Sequence, residues 1–420
     1  MAINAGTIWE VRTTGSQTNG GGFYDLDPGT SVDYSQQDSA VLSVTDGVTD
    51  GAGTGLSSAT GGFTAAMVGN TCYLAGGGVA IAWYQITACI DGNHVTIDRS
   101  AGASRVGVTC VVGGAFKIGG SLDQDFFSGL SKAVGNLIYI QSGSYTLAET
   151  ISTGISYDVI GYDTSRGDEP IGNNRPLLDF GTGYQLRCSS PGMDLYNLRI
   201  TGQATSVLAD EAGGLMRRNL RVENTSATAD RDALWSQSNV YLLCEFVSAN
   251  GYAAYAHGSS VPMFVACWMH DSKVGFRGNG TTTGPSYHLV HCAVSGCATG
   301  LMFTGQYASF RVYGGVLYGN TTGISLAAGA ALNTGAVPSA ILNTILSGNT
   351  TGLSLDQVQT RVFLNYNCWN NTTDVVNASK GPSDLTADPL LVDPANDDFR
   401  LQSGSPCLNA GLQLGALVGL

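Results

Sequence analysis

Cys267-Trp268-Met269-His270-Asp271-Ser272-Lys273-Val274-Gly275 aligns position by position with Cys292-Ala293-Val294-Ser295-Gly296-Cys297-Ala298-Thr299-Gly300. Each begins with an apolar alternation and closes on glycine. Gly315-Val316-Leu317-Tyr318-Gly319-Asn320-Thr321-Thr322-Gly323 and Thr344-Ile345-Leu346-Ser347-Gly348-Asn349-Thr350-Thr351-Gly352 repeat the pattern. The four starts lie 25, 23 and 29 residues apart, and Cys244 and Cys368 extend the register by 23 and 24 residues on either side. A repeat of that length is one coil of a solenoid, because a single coil cannot bury its own apolar face and must stack on its neighbours. The expected fold is all-β: a right-handed parallel β-helix behind a small N-terminal β domain. About 280 residues at about 24 per coil make some 11 or 12 coils, a rod of about 55 Å at ~4.8 Å per coil.

Within that register Cys244, Cys267, Cys292 and Cys368 occupy equivalent positions, three of them placed to stack as an internal ladder. The ten cysteines show no paired spacing of a zinc site. They read as mostly reduced, buried small hydrophobes. Gly-Asn-Thr-Thr-Gly at 319–323 and 348–352 predicts a recurring Asn turn with a structural role. Gly or Asn is expected at each bend, where positive φ costs those residues least.

Working upstream, Leu137–Leu147 reads as two short strands around a glycine turn, where the solenoid begins. Asp123–Val134 carries apolar residues at Phe126, Phe127, Leu130 and Val134, predicting a short amphipathic helix that closes the first coil, with Asp123 as N-cap. Residues 1–118 differ in texture, with Gly-rich loops and alternating runs at Trp83–Thr87 and Val95–Asp98. Asp91-Gly92-Asn93 between those runs is a hairpin signal. The division is therefore 1–118, a β-rich attachment domain, and 119–420, the β-helix with its C-terminal cap.

The 58 glycines and 12% charged residues do not suit a helical enzyme, while 43% hydrophobic content fills a core. With 32 acidic against 19 basic residues and a net charge of −13, no broad basic surface is expected to neutralise phosphates, so nucleic acid is not an expected partner. No run of about 20 apolar residues predicts membrane insertion. Met1–Gly6 lacks a basic and apolar leader, so synthesis in a cytosol is expected.

Asp388-Pro389-Leu390-Leu391-Val392-Asp393-Pro394, with Asp398–Leu401 and Ser405–Gly411, resembles the terminal segment of right-handed β-helix repeat proteins of the pectate-lyase-like group. Ile8–Ser16, Asn19–Phe23 and Asp33–Gln37, and Thr60–Asn70 followed by Trp83–Thr87 and Thr96–Arg99, resemble the start of virion-associated β-helix proteins of tailed bacteriophages. The resemblance implies a virion protein assembled in the bacterial host cytoplasm, contacting other capsid or tail proteins and commonly trimeric. The chain ends at its cap, Leu414–Leu420, without the further trimerisation or receptor domain usual in tailspikes. That departure favours a capsid decoration or head spike, acting by shape rather than turnover and contacting host-surface glycans. The alternatives are a tailspike depolymerase, a polysaccharide hydrolase or lyase, and a non-enzymatic glycan-binding adhesin.

Catalysis by glycoside hydrolysis needs two carboxyl groups about 5–10 Å apart. Between Asn239 and Gln357 the only acids are Glu245, Asp271 and Asp356, and the first two lie one coil apart. Asp230 and Asp232, flanking Arg231 near Trp235, form the other cluster, with both carboxylates on one strand face or both solvated in a loop. Glu245, Asp271, Asp230 and Asp232 are the candidate catalytic residues, although surface acids in a repeat are more often solvated. Elimination of the pectate-lyase type requires a basic residue beside a carboxylate-rich calcium site; Arg217, Arg218, Arg221 and Glu223 come nearest. No cofactor or metal is expected. His257, His270, His288 and His291 have no ligand spacing, and Trp235, Trp268, Tyr252, Tyr255 and Tyr287 are the aromatics placed to stack on sugars or cover the core.

Overall fold

A computed structural model describes residues 3–51, 53–127, 132–189, 193–280, 286–305, 309–326, 339–357 and 362–412. It divides into two compact units, Met1–Arg199 and Ile200–Leu420. Both carry coils of a right-handed parallel β-helix, each coil contributing one short strand to each of three faces.

In the first unit, strands Leu42–Asp50, Gly55–Ser57, His94–Ile97, Ala82–Asp91, Thr71–Gly76 and Ser104–Val112 close into an antiparallel barrel. The expected hairpin is there: Asp91 faces His94 across the turn. Val44, Leu56, Leu74, Ile86, Val95 and Val108 are among the side chains filling the interior. The solenoid also begins in this unit, but its first parallel strand comes from the N-terminus, edged by the antiparallel Gly22–Phe23. Ile8–Val11 pairs in parallel with Leu137–Gln141, which pairs with Asp158–Tyr162. Glu10, fully buried on that strand, is held by Arg12 at 2.8 Å, by Arg166 at 2.7 Å and by the Tyr162 hydroxyl.

Among the described residues the closing helix covers Asp123–Phe127, and Leu130 lies outside the described residues. Phe126 stacks on Phe116 at 3.8 Å and meets Trp9 and Trp83 edge-on, while Val134 is exposed rather than packed. Asp123 does not cap its own helix. Its carboxylate accepts the backbone N–H groups of Gly119 and Gly120 and the Gln17 amide, and burial raises its pKa to about 6 against those hydrogen bonds.

In the second unit the ladder Glu245–Trp268–Ala293–Val316–Ile345 reproduces the predicted spacing coil by coil. Leu234, Ala254, Phe276, Leu301, Ile324 and Leu353 stack inward on the third face. Among the described residues that face has two strands in the first unit and eight in the second, fewer than 11 or 12 coils. Two features consume the difference. Val159 and its partner Leu195 are separated by a long excursion, and the C-terminal segment forms an antiparallel hairpin, Leu391–Asp393 with Asp398–Leu401, instead of another coil. Residues 414–420 lie outside the described residues.

Two bends recur. Between the first and second faces the chain turns on a single left-handed residue: Asn219, Leu243, Ala266, His291, Gly314, Asn343 and Tyr366. The expectation of Gly or Asn fails at Leu243, Ala266, His291 and Tyr366. Each costs of order 1–2 kcal/mol there, which the stacked strands on either side over-determine. Cys244, Cys267 and Cys292 follow this bend and do stack, each thiol donating to carbonyls of its own and an earlier coil. Cys368 is one residue out of register, pairing with Ile345 rather than Thr344.

Beyond the second face, Asn320, Asn349 and Asn371 form the recurring turn. Asn349 Oδ1 accepts from the Asn320 backbone and side chain, and Asn349 Nδ2 donates to Asn371 Oδ1 at 2.7 Å and to Leu317 O at 3.0 Å. Deeper in the unit, fully buried Asp210 and Arg217 pair at 2.6 Å, with Tyr241 donating to Asp210 at 2.8 Å.

Asn349→Ala leaves those groups without partners in a dry interior, at roughly 1–3 kcal/mol for each buried group orphaned. A clear drop in Tm is expected in thermal melts followed by circular dichroism; an unchanged Tm would mean that the ladder carries no net stability.

Candidate functional site

The third face of the second unit gathers the candidate site. Its outward column runs Trp235, Tyr255, Arg277, Met302, because the parallel register places each directly beneath the next. Side chains of adjacent coils therefore sit about 4.8 Å apart on a rigid sheet. The Arg277 guanidinium lies over the rings of Tyr252 and Tyr255, 5.0 and 5.3 Å from their centroids, and donates to the Tyr252 hydroxyl at 2.6 Å. Tyr255 in turn accepts from Asn279 at 3.4 Å.

At one edge of this column the two expected acids part company. Asp230 takes a left-handed backbone, φ 57°, and holds its exposed carboxylate against Lys273 Nζ at 2.6 Å and the Tyr252 hydroxyl at 3.3 Å. The Lys273 contact lowers its pKa. Asp232, two residues on, opens a strand and turns inward, 5% exposed. Its Oδ2 accepts from Ser206 at 3.4 Å, while Oδ1 is buried with no hydrogen-bond partner, as is Nε of Arg277. Burial raises the Asp232 pKa to about 7, opposed by Ser206 and Arg277 and reinforced by the charge of Asp230. The two carboxyls thus share neither a common face nor a common solvation, contrary to both expectations from alternation.

Glu245 and Asp271 do not meet directly either. His270 stands between them, its Nε2 3.2 Å from Glu245 Oε1 and its Nδ1 2.9 Å from Asp271 Oδ2. Glu245 Oε1 also receives Arg221 at 2.9 Å, so the carboxylate is already neutralised. Burial of the imidazole lowers its pKa, but the two carboxylates outweigh it and the net direction is upward. Trp268 stacks on the His270 ring at 3.7 Å. Asp271 occupies a left-handed corner, φ 47°, that Gly296, Gly319 and Gly348 fill in the next coils. Arg221, Glu245, His270 and Asp271 are thus linked in one chain of polar contacts, in which Arg221 Nε is buried without a hydrogen-bond partner and the Asp271 side chain stays exposed.

Sequence reasoning missed Arg277, Lys273 and His270 as partners. The 22-residue step from Tyr255 to Arg277 follows from the coil period, but nothing in the period says that the arginine folds back over two tyrosines. Among the described residues no group of three or more His, Cys, Asp or Glu is placed to hold a metal ion. No helix among them is long and apolar enough to cross a membrane.

These are the features of a β-helix with a polar, aromatic-lined lateral face. No family model matches the chain, and no curated protein matches it in sequence. Among solved structures, the chain is similar to the pectate lyase Pel9A, at 14% identity and a TM-score of 0.46 over 67% of this chain and 84% of that one. It is also similar to the tailspike protein gp49 of Pseudomonas phage LKA1, at 13% identity and a TM-score of 0.22 over 84% of this chain and 63% of that one. The Pseudomonas phage phi297 tailspike gp61 follows at 11% identity and a TM-score of 0.20, over 82% and 62%. At these values the likenesses assign no residue a role.

A carboxyl whose pKa is raised above its unfolded value holds its proton more tightly when folded. Its stability contribution is present at low pH and is lost as pH rises through about 7. Asp232→Asn is therefore expected to raise Tm by a few degrees at about pH 8, the gain shrinking as pH falls below 7 toward 4. Paired melts across that range check this, and a pH-independent gain would assign the burial cost to another group.

Proposed function

We propose that this chain is an exterior component of a tailed-phage particle whose β-helix binds a bacterial surface polysaccharide at Trp235, Tyr252, Tyr255 and Arg277. The observation that carries this reading is the Trp235–Tyr255–Arg277 column with a half-paired carboxyl beneath it. Half-buried aromatic rings at strand spacing offer stacking surfaces for successive sugar rings. The planar guanidinium and the Asp230–Lys273 pair supply directional partners for hydroxyl or carboxylate substituents. A parallel β-helix adds rigidity, so the face binds without ordering loops. Residues 1–118 serve as the attachment domain, the particle context and trimeric assembly being what the N-terminal resemblance supports.

A depolymerase is the second reading, favoured by the opposite pKa directions of Asp230 and Asp232. Neighbouring carboxyls whose environments drive them apart are the pattern of an acid and base pair in glycoside hydrolysis. Against it stands the enclosure of Asp232 Oδ1, which no substrate oxygen reaches without local rearrangement.

Purified protein tested against a panel of capsular and O-antigen polysaccharides separates the readings. Saturable binding that weakens about tenfold or more in Trp235→Ala and Arg277→Met is expected. Polymer that keeps its length on size-exclusion chromatography supports binding alone. Shortening that is lost in both Asp230→Asn and Asp232→Asn would select the depolymerase, and absence of this chain from purified particles would defeat the virion assignment.

A further inference from the structure

The one-residue slip at the last coil brings two thiols together. Cys368 lies in the outward column of Trp268, Ala293, Val316 and Ile345 rather than in the internal cysteine stack. A slip of one residue moves a strand side chain to the opposite face. Yet Cys368 is 3% exposed, and it shares a cleft of about 270 Å³ with Cys407, Ala410 and Gly411 of the C-terminal segment. The Cys368 thiol donates to Ala387 O at 3.3 Å, and across the shared cleft the Cys368 and Cys407 thiols perturb each other's ionisation. Cys407 is half-buried, open to small reagents through the cleft, whereas the stacked Cys244, Cys267 and Cys292 are enclosed.

We propose that Cys368 and Cys407 are a redox pair that closes into a disulfide outside a reducing compartment, fastening the segment 388–411 to the last coil. The neighbouring Cys368 thiol lowers the Cys407 pKa to about 7 against its burial, and the Cys368 thiol is raised in turn by Cys407 and by its own burial. Cys407 is thus the nucleophile, since the thiolate is the reactive form. Its sulfur attacks one sulfur of a low-molecular-weight disulfide such as glutathione disulfide, expelling a glutathione thiolate and leaving a mixed disulfide. Cys368 gives up its proton to a thiolate and attacks Cys407 Sγ, expelling the second glutathione. Two protein thiols are oxidised, and one glutathione disulfide is reduced to two thiols.

In the reduced state the segment is held by weaker contacts. The Phe399 ring packs on Tyr318 with centroids 5.9 Å apart, and the Leu412 backbone N–H donates to Asn343 Oδ1 at 2.7 Å. A covalent link closing this long loop restricts opening of the segment. The inference stands independently of the glycan reading.

The full-length protein, reduced and freed of reductant, is treated with glutathione disulfide and mapped by non-reducing peptide mass spectrometry. A Cys368–Cys407 peptide pair short of two hydrogens is expected. Proteolytic cleavage within 388–411 should slow about tenfold or more on oxidation, tracking the open population. That change should be absent in Cys407→Ser and in Cys368→Ser. A persistent glutathione adduct on Cys407 without the cross-link, or cross-links scattered over other cysteines, would overturn the pairing. A cross-link that leaves cleavage unchanged would overturn the fastening.

Discussion

Everything in the β-helix depends on parallel register. Each coil hydrogen-bonds to the next along all three faces, so a residue's neighbours are the residues one period before and after it. Hydrogen bonding of the backbone is settled by that repetition, and the side chains inherit it as columns. Apolar columns make the core, as from Leu234 to Leu353. Polar columns satisfy themselves, as Asn349 does with Asn320 and Asn371. The candidate site is a third kind of column, in which tryptophan, tyrosine and arginine follow one another on a solvent-facing strand.

Register was therefore legible wherever the sequence repeated itself. The nine-residue alignments placed Cys267, Cys292, Gly315 and Thr344 in true structural equivalence, since the strands following them pair in that order. Cys368 breaks the rule: its cysteine suggests equivalence with Cys292, but the apolar alternation has shifted by one and Cys368 pairs with Ile345. Sequence reasoning also falls short at the bends. Propensity reserves left-handed backbone for Gly and Asn, yet tertiary pairing on both sides holds Leu243, Ala266 and Tyr366 there.

The candidate acids show the limit of one-dimensional reasoning more sharply. Separation in sequence located Glu245 and Asp271 on adjacent coils, but not the imidazole lodged between them. Alternation treated Asp230 and Asp232 as equals, whereas a left-handed residue at 230 sends one carboxylate to solvent and the other beneath the sheet. Their contrasting environments come from Lys273, Ser206 and Arg277, whose side-chain paths no periodicity encodes.

The two polar devices of the second unit differ in how they bear change over evolutionary time. The Asp210–Arg217–Tyr241 cluster is a singular fitting, and a coil moved into or out of it strands a buried charge. The Asn320–Asn349–Asn371 ladder is iterative: any coil that carries its own asparagine is accepted by the ones on either side. Whole-coil duplication or loss by recombination is thus expected to be tolerated in that stretch and penalised near Arg217.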